Sequence, residues 1–317
     1  MARAPAVITS VVGSFPVEEG LDRTEALAGF YAGRPVDPFE GALREAVESQ
    51  VAAGIDWVSD GQVRADMITL FSAHIPGMKV ADGRTTVVGA IEPPARSITR
   101  GDMLMAKRFA GDQARVKGIL TGPSTMALSC AVADGYRDER DLQLVHDIAR
   151  VLRREAEDLI ANGAVAVQID EPFFSTGVDE LPARLAAVDS IAKGLAVPVA
   201  MHVCGDVSDL MGDFLTLEHV NILDHEFAAS PQVLDAISRD DLEGSGKRIG
   251  YGCVRSDDAT VEDVPTIVTR IRTAVSKLGE ENLIIDPDCG MRVFPREVAR
   301  AKLENMVKAV REVEGQD

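Results

Sequence analysis

The sequence is poor in aromatic residues and in positive charge. Only 4% of its 317 residues are aromatic, and the hydrophobic fraction of 46% is built mainly from Ala, Val, Leu and Ile. The 33 Lys and Arg residues are outnumbered by 51 Asp and Glu, which gives a formal charge of −18. Nucleic acids and anionic membrane surfaces attract clustered cations, so we expect neither as a partner.

Long apolar runs and abundant cysteine are also missing. No run reaches the roughly 18 apolar residues that a membrane span requires. The N-terminal "MARAPAVITSVVGSFP" lacks the basic and then long apolar regions of a secretory signal, which predicts a cytoplasmic protein. The four cysteines, Cys130, Cys204, Cys253 and Cys289, lie far apart in a chain too long to need disulfides. We expect reduced thiols, some of them metal ligands.

Eight apolar, β-branched runs that end in turn or polar residues predict eight strands. They are "AVITSVVGSF", "GIDWVSDGQ", "RVKGILTGPS", "AVAVQIDEP", "VPVAMHVCG", "VNILDHEF", "KRIGYGCV" and "NLIIDPDCGM". Most are followed by helical spacing, clearest in "DLQLVHDIARVLRREAEDLIANGA", where Gly163 predicts the end of the helix. This alternation implies parallel pairing, and it predicts an α/β fold, a single (β/α)8 TIM barrel over residues 1–317.

The segment from Asp66 to Ala114 is too long for one crossover helix. Its stretch "MKVADGRTTVVGAIEPP" carries an Asp-Gly turn signal between two short β-prone runs. We predict a β-hairpin followed by the helix "GDMLMAKRFAG", inserted between strands 2 and 3 as a lid or an interface.

Chemistry-bearing residues gather at the predicted strand ends, where the reactive groups of such barrels lie. His202 and Cys204 are two residues apart on one strand and therefore point to the same side. Glu226 ends the next strand, and Cys289 follows the last one. Two sulfurs, one imidazole and one carboxylate suit tetrahedral zinc, and such a site favours a thiol substrate. Taken singly, each Cys or His is more often a core residue than a ligand.

Other candidates have simpler explanations beside the functional ones. Cys253 is either a further ligand or core, and Cys130 lies in the helix-prone "MALSCAVADG" with a structural role. His225 faces away from Glu226, which favours packing or support of a ligand. Asp170 in "IDEP" usually would cap a helix, but it can also hold a substrate ammonium.

Two more positions complete the predicted substrate pocket. Asp60 in "SDGQVR" lies at an equivalent level on strand 2 and is able to share the task of holding an ammonium. The turn "VVGSFP" offers backbone N–H groups at Gly13, Ser14 and Phe15 that can bind a carboxylate. A plain tight turn is the alternative for this loop.

The motifs "GSFP", "DGQVR", "TGP", "IDEP", "HVCG", "HEF" and "DPDCGM" occur in the order found in a known family. Across nearly all of its length the chain resembles the catalytic, C-terminal domain of cobalamin-independent methionine synthase. The resemblance implies zinc bound by His202, Cys204, Glu226 and Cys289, with homocysteine as methyl acceptor. It also implies that Asp170 and Asp60 bind the homocysteine ammonium, and that Ser14 binds its carboxylate through the backbone. Asp60 departs from the family, which usually has Glu on strand 2.

Two departures bear on the methyl donor. The long enzymes have an N-terminal half that helps to hold methyltetrahydrofolate, and a His after strand 7 where this chain has Arg255. Expelling a folate amine requires an acid, whereas expelling cob(I)alamin from methylcobalamin does not. We therefore predict a core form of the synthase whose donor is a methyl-corrinoid, held by a corrinoid protein. The alternatives are a folate donor, a zinc alkyltransferase for another thiol such as coenzyme M, and a non-catalytic zinc scaffold.

Overall fold

Parallel strands curl into a barrel in this computed structural model, which describes residues 7–17, 29, 32–33 and 37–315. In chain order the strands are β1 (Ile8–Thr9), β2 (Trp57–Val58), β3 (Met78–Ala81), β4 (Arg84–Val88), β5 (Arg115–Val116), β6 (Gly118–Thr121), β7 (Ala131–Asp134), β8 (Val167–Asp170), β9 (Val199–Val203), β10 (Ile222–Glu226), β11 (Arg248–Val254) and β12 (Leu283–Pro287). The main sheet has the order β1-β12-β11-β10-β9-β8-β6, and every pair in it is parallel.

Short contacts close this sheet into a ring. β2 pairs with β5 in parallel, and a parallel bridge joins Ser10, just after β1, to Trp57 of β2. Since only Lys117 separates β5 from β6, these two segments act as one barrel strand. All eight predicted strand runs thus contribute to the barrel, which confirms the predicted fold class.

The helices lie between the strands and cover the barrel. They are α1 (Glu40–Ala53), α2 (Met67–Ser72), α3 (Arg100–Ala110), α4 (Pro123–Leu128), α5 (Leu142–Ala161), α6 (Leu181–Ala192), α7 (Met211–Leu215), α8 (Arg239–Ser245), α9 (Val264–Leu278) and α10 (Arg296–Val313). No helix among the described residues is both long and apolar enough to cross a membrane.

Helix α5 shows how local sequence sets these elements. The Asp141 side chain caps it by accepting a hydrogen bond from the Gln143 N–H at 3.0 Å. Leu144, Ile148 and Leu152 recur at four-residue steps and are fully buried, each contributing roughly 1.5–3 kcal/mol to the free energy of unfolding. The helix ends at Ala161, two residues before Gly163, whose φ of 93° is left-handed.

The predicted excursion between strands 2 and 3 is present. β3 and β4 pair antiparallel across Asp82 and Gly83, whose φ angles of 51° and 70° fit a type I′ turn. The predicted helix follows as α3. One expectation was wrong: the helix-prone stretch around Cys130 stops at Leu128, and β7 then pairs with β4 in parallel. This tertiary pairing overrides the local helical preference.

Candidate metal and substrate site

Three of the four predicted zinc ligands lie together at the C-terminal mouth of the barrel. His202 is in β9, Cys204 follows that strand, and Cys289 comes two residues after β12. His202 Nε2 lies 3.1 Å from Cys204 Sγ, which lies 3.1 Å from Cys289 Sγ. The ligand atoms of all three fall within 4.8 Å of one another. One nitrogen and two sulfurs at this spacing fit a zinc ion.

Asp224 fixes the ring of His202. Its Oδ1 lies 2.8 Å from His202 Nδ1, and both side chains are buried. The residues are direct partners in the parallel pairing of β9 with β10. Because a carboxylate only accepts, Nδ1 carries a proton, and in the neutral ring the Nε2 lone pair faces the cysteines. The neighbouring Cys204 and Asp224 raise the pKa of His202, so a bound metal would replace a proton at Nε2.

Strand β11 leaves room for this carboxylate. A Cβ on Gly250 would lie 2.7 Å from the Asp224 Cγ, closer than any side chain tolerates. A Cβ on Gly252 would lie 2.5 Å from Asp288 Oδ1. The two glycines therefore let neighbouring acids fill the interior of the barrel.

Hydrogen bonding between the cysteines distributes their protons unequally. The hydrogen bond between the sulfurs of Cys204 and Cys289 lowers the pKa of Cys289 well below its usual value. The same bond, together with burial, raises the pKa of Cys204. The pair thus readily provides the first of the thiolates that zinc needs.

Glu226 stands apart from the three-ligand cluster. It ends β10 and is half-buried, and its carboxylate accepts a hydrogen bond from the Gly205 N–H. Burial and the neighbouring Cys289 raise the pKa of Glu226. The side chain therefore lies beside the cluster, and its predicted role as fourth ligand stays a prediction.

Asp288 organises the loop that carries Glu226, a role that the sequence did not reveal. It is fully buried and accepts hydrogen bonds from the N–H groups of Phe227, Ala228 and Ala229 at 3.1, 2.9 and 2.8 Å. Burial raises the pKa of Asp288 to about 7, although these bonds oppose the shift. In the sequence, Asp288 is marked only by its position directly before the predicted ligand Cys289.

Asp170 lies next to the metal cluster. It is the direct partner of His202 in the pairing of β8 with β9 and is 6% exposed. Gln168 Nε2 donates to its Oδ1 at 2.6 Å. Burial raises the pKa of Asp170 to about 6, so the carboxylate is ionised at neutral pH. This position suits the ammonium of a substrate whose sulfur reaches the cluster.

The first loop borders the same space. Gly13, Ser14, Cys289 and Gly290 line one small cavity, and a Cβ on Gly290 would lie 2.1 Å from Ser14 Oγ. The N–H groups of Gly13 and Ser14 have no acceptor within the described part of the chain. The third predicted donor is not available, because the Phe15 N–H donates to the Gly61 carbonyl at 3.0 Å.

Asp60 is engaged in its own loop rather than with Asp170. Its Oδ1 accepts from the Gln62 N–H at 2.9 Å. Desolvation, with a contribution from Asp102, raises the pKa of Asp60 to about 6. Its predicted contact with the substrate remains untested.

Gln62, two residues further on, was missed by sequence reasoning. Its φ of 48° is left-handed, which costs a non-glycine residue on the order of 1 kcal/mol. The side-chain amide lies against Gly13, and its buried Nε2 has no hydrogen-bond partner within the described chain. In the sequence, Gln62 is marked only by its place in "DGQVR", the motif that also contains the candidate Asp60.

The remaining candidates lie elsewhere. Cys253 is fully buried in the hydrophobic core, which supports the core interpretation. Cys130 is also buried in the core. His225 points out of the barrel, where its ring stacks on Phe214 with centroids 5.5 Å apart. Arg255 pairs with Asp257 at the surface.

Known proteins are similar to this chain in sequence and in fold. The family model described as "Cobalamin-independent synthase, Catalytic domain" matches residues 7–312. The methionine synthase of Methanothermobacter thermautotrophicus is 42% identical over 96% of this chain and 99% of its own length. That of Methanocaldococcus jannaschii is 40% identical, with the same coverage.

A solved structure agrees in fold. A B12-independent methionine synthase from Shewanella sp. W3-18-1, in complex with selenomethionine, superposes with a TM-score of 0.80 at 24% identity, covering 98% of both chains. The barrel, the strand-end motifs and these matches agree with one another. The chain is therefore a methyltransferase that belongs to the cobalamin-independent methionine synthase family, whose catalytic domain it represents.

Proposed function

We propose that this protein transfers a methyl group to the sulfur of homocysteine at a zinc site, forming methionine. The observation that carries the proposal is the cluster of His202, Cys204 and Cys289, whose ligand atoms lie within 4.8 Å of one another beside the buried acid Asp170. Zinc bound there lowers the pKa of a coordinated thiol, so that the nucleophilic thiolate exists at neutral pH.

The protein's own residues orient the amino acid. The Asp170 carboxylate binds the ammonium, and the N–H groups of Gly13 and Ser14 bind the carboxylate. Because its ammonium and its carboxylate are both held, homocysteine directs its sulfur toward the cysteine cluster. This orientation on binding lowers the entropic part of the activation barrier. Glu226 would complete the ligand set of a bound zinc, and as a carboxylate it would be the weakest of the four ligands.

One observation argues against a corrinoid as methyl donor, and another argues against a folate. The predicted methyl-corrinoid donor conflicts with the cobalamin-independent description of the family. A folate donor needs an acid at the leaving amine, and Arg255 after β11 is engaged with Asp257 instead. The comparisons therefore support methyl transfer to homocysteine without supporting the corrinoid donor.

The test is methionine formation by zinc-loaded protein from homocysteine. Methyltetrahydrofolate, its polyglutamate and methylcobalamin are supplied separately, and the donor that is consumed identifies the methyl source. Wild-type protein should contain one zinc per chain and lose activity when a chelator removes it. Protein that binds zinc but shows no change in the metal's sulfur coordination on adding homocysteine would be a scaffold, and the proposal would be wrong.

An alkyltransferase for coenzyme M is disfavoured by Asp170. Coenzyme M has a sulfonate and no ammonium, so a buried carboxylate beside its binding site would repel it. The variant Asp170→Asn should raise the KM for homocysteine at least about tenfold, because a hydrogen bond between charged groups is lost. An unchanged KM would favour the coenzyme M alternative.

A further inference from the structure

Lys117 lies inside the barrel, below the metal and substrate site. It occupies the joint between β5 and β6 and is only 5% exposed. The interior cavity beside it is also lined by Gln168, Asp224 and Asp286. Burial lowers the pKa of Lys117, and the nearby carboxyl groups of Asp224, Asp286 and Asp170 oppose this shift, so these neighbours support the charged ammonium. This cation has no part in the proposed function.

The ammonium of Lys117 determines which way the Gln168 amide faces. Nζ donates to Gln168 Oε1 within the buried interior. An ammonium has donors only, so it accepts no contact from the NH2 end of the amide. The Nε2 end must then face the other way, where it donates to Asp170 Oδ1 at 2.6 Å and to the Val12 carbonyl at 2.7 Å.

The orientation of the Gln168 amide affects both parts of the proposed substrate pocket. The Gln168 amide holds Asp170, which binds the ammonium in the proposed function, and it holds Val12, which directly precedes Gly13 and Ser14. If the amide flipped, its oxygen would face the Asp170 carboxylate and the Val12 carbonyl, and both contacts would become repulsive. Lys117 adds to this restraint, because the flipped amide would also turn its NH2 group against the ammonium.

We propose that Lys117 and Gln168 are positioning residues that give the pocket its preference for an amino-acid thiol. This inference rests on the proposed function, because it assigns the support of the same substrate site. The lysine fixes the orientation of the amide, and the amide fixes the carboxylate and the first loop. Neither side chain touches the reacting sulfur.

The variants Lys117→Met and Gln168→Met test the inference. The dissociation constant of homocysteine, measured by calorimetry on zinc-loaded protein, should rise about tenfold or more in each. The dissociation constant of 4-mercaptobutyrate, which keeps the thiol and carboxylate but lacks the ammonium, should rise much less. Loss of selectivity between these two thiols is a change that mere destabilisation of the barrel would not produce.

Lys247→Met is the matched control. Lys247 is likewise a buried lysine, 3% exposed, but it donates to the carbonyls of Leu217 and Val220 just before β11, away from the mouth of the barrel. Its removal should leave the selectivity unchanged. Adding Gln168→Met to Asp170→Asn should weaken homocysteine binding less than Gln168→Met does in the wild-type protein, since the support of the Asp170 carboxylate is already lost and only that of the first loop remains.

The outcomes separate this inference from the proposed function. Wild-type protein that binds neither zinc nor homocysteine would overturn the proposed function itself. Wild-type protein that binds both, with Lys117→Met and Gln168→Met variants of unchanged selectivity, would overturn only the positioning role. Should Lys117→Met fail to fold, Gln168→Met and the double variant decide the question.

Discussion

The Asp224 carboxylate accepts a hydrogen bond from His202 Nδ1 at 2.8 Å, across neighbouring parallel strands of the barrel. This contact selects the tautomer that turns the lone pair of Nε2 toward Cys204. An acid on β10 thus sets how the predicted ligand on β9 would meet a bound metal, and the contact can be tested by substitution.

Replacing Asp224 with Asn should weaken zinc binding about 10- to 100-fold, the usual effect of losing a carboxylate that hydrogen-bonds to a ligating histidine. The amide fits the same space but can present its NH2 group to Nδ1 and favour the other tautomer. Competition with a chromophoric chelator measures the affinity. The exposed Asp213→Asn serves as the control, and equal affinities in the two variants would contradict the role of Asp224.

Removal of a thiolate ligand should have a larger effect. The Cys289→Ser variant is expected to lose most of its zinc. Its rate of methionine formation should fall by more than roughly 100-fold, the upper end of the effect of losing a residue that only hydrogen-bonds to a ligand. Elemental analysis of purified protein gives the zinc content. Cys253→Ala, a change at a buried strand cysteine outside the cluster, should retain one zinc per chain; loss of zinc there as well would make Cys253 a ligand.

The pH dependence of homocysteine binding should reflect Asp170. Burial raises the pKa of Asp170 to about 6, so its carboxylate is charged above that pH and becomes neutral below it. Affinity for the ammonium should therefore be highest near neutral pH and fall as the pH drops through 6. The ratio of the homocysteine KM of Asp170→Asn to that of wild type should shrink over this range. A ratio independent of pH would show that Asp170 does not bind the ammonium.

Gly250→Ala should damage both stability and metal binding. Its new methyl group would lie 2.7 Å from the Asp224 Cγ, so the carboxylate or the strand must move. We expect a loss of about 1–3 kcal/mol in the free energy of unfolding, as for other overpacked cores, together with weaker zinc binding. Denaturant unfolding and chelator competition measure the two effects.

The exposed Gly244 in α8 provides the matched control. A Cβ there meets nothing within 4 Å, and alanine should stabilise the helix by roughly 0.5–1 kcal/mol. If Gly250→Ala were as stable as wild type with unchanged zinc affinity, the space beside Asp224 would not matter.

Sequence periodicity was sufficient to predict the barrel and to bring three of the four predicted ligands to one place at its mouth. Strand alternation places Asp224 and Glu226 on one face and His225 on the other, as the structure shows. The parallel addition of β7 to the hairpin was not predictable, because its partner β4 is distant in sequence and local propensity favours a helix. The left-handed Gln62 was also missed, since only the surrounding loops impose that backbone conformation.

The three N–H groups that converge on Asp288 have a mechanical consequence. They tie the loop after β10 to the residue that precedes Cys289. A displacement of one loop is therefore transmitted to the other, and Glu226 and Cys289 behave as a single rigid unit. Entry of a substrate sulfur would then be accommodated by rotation of the Glu226 side chain, while the backbone that carries Glu226 and Cys289 stays fixed.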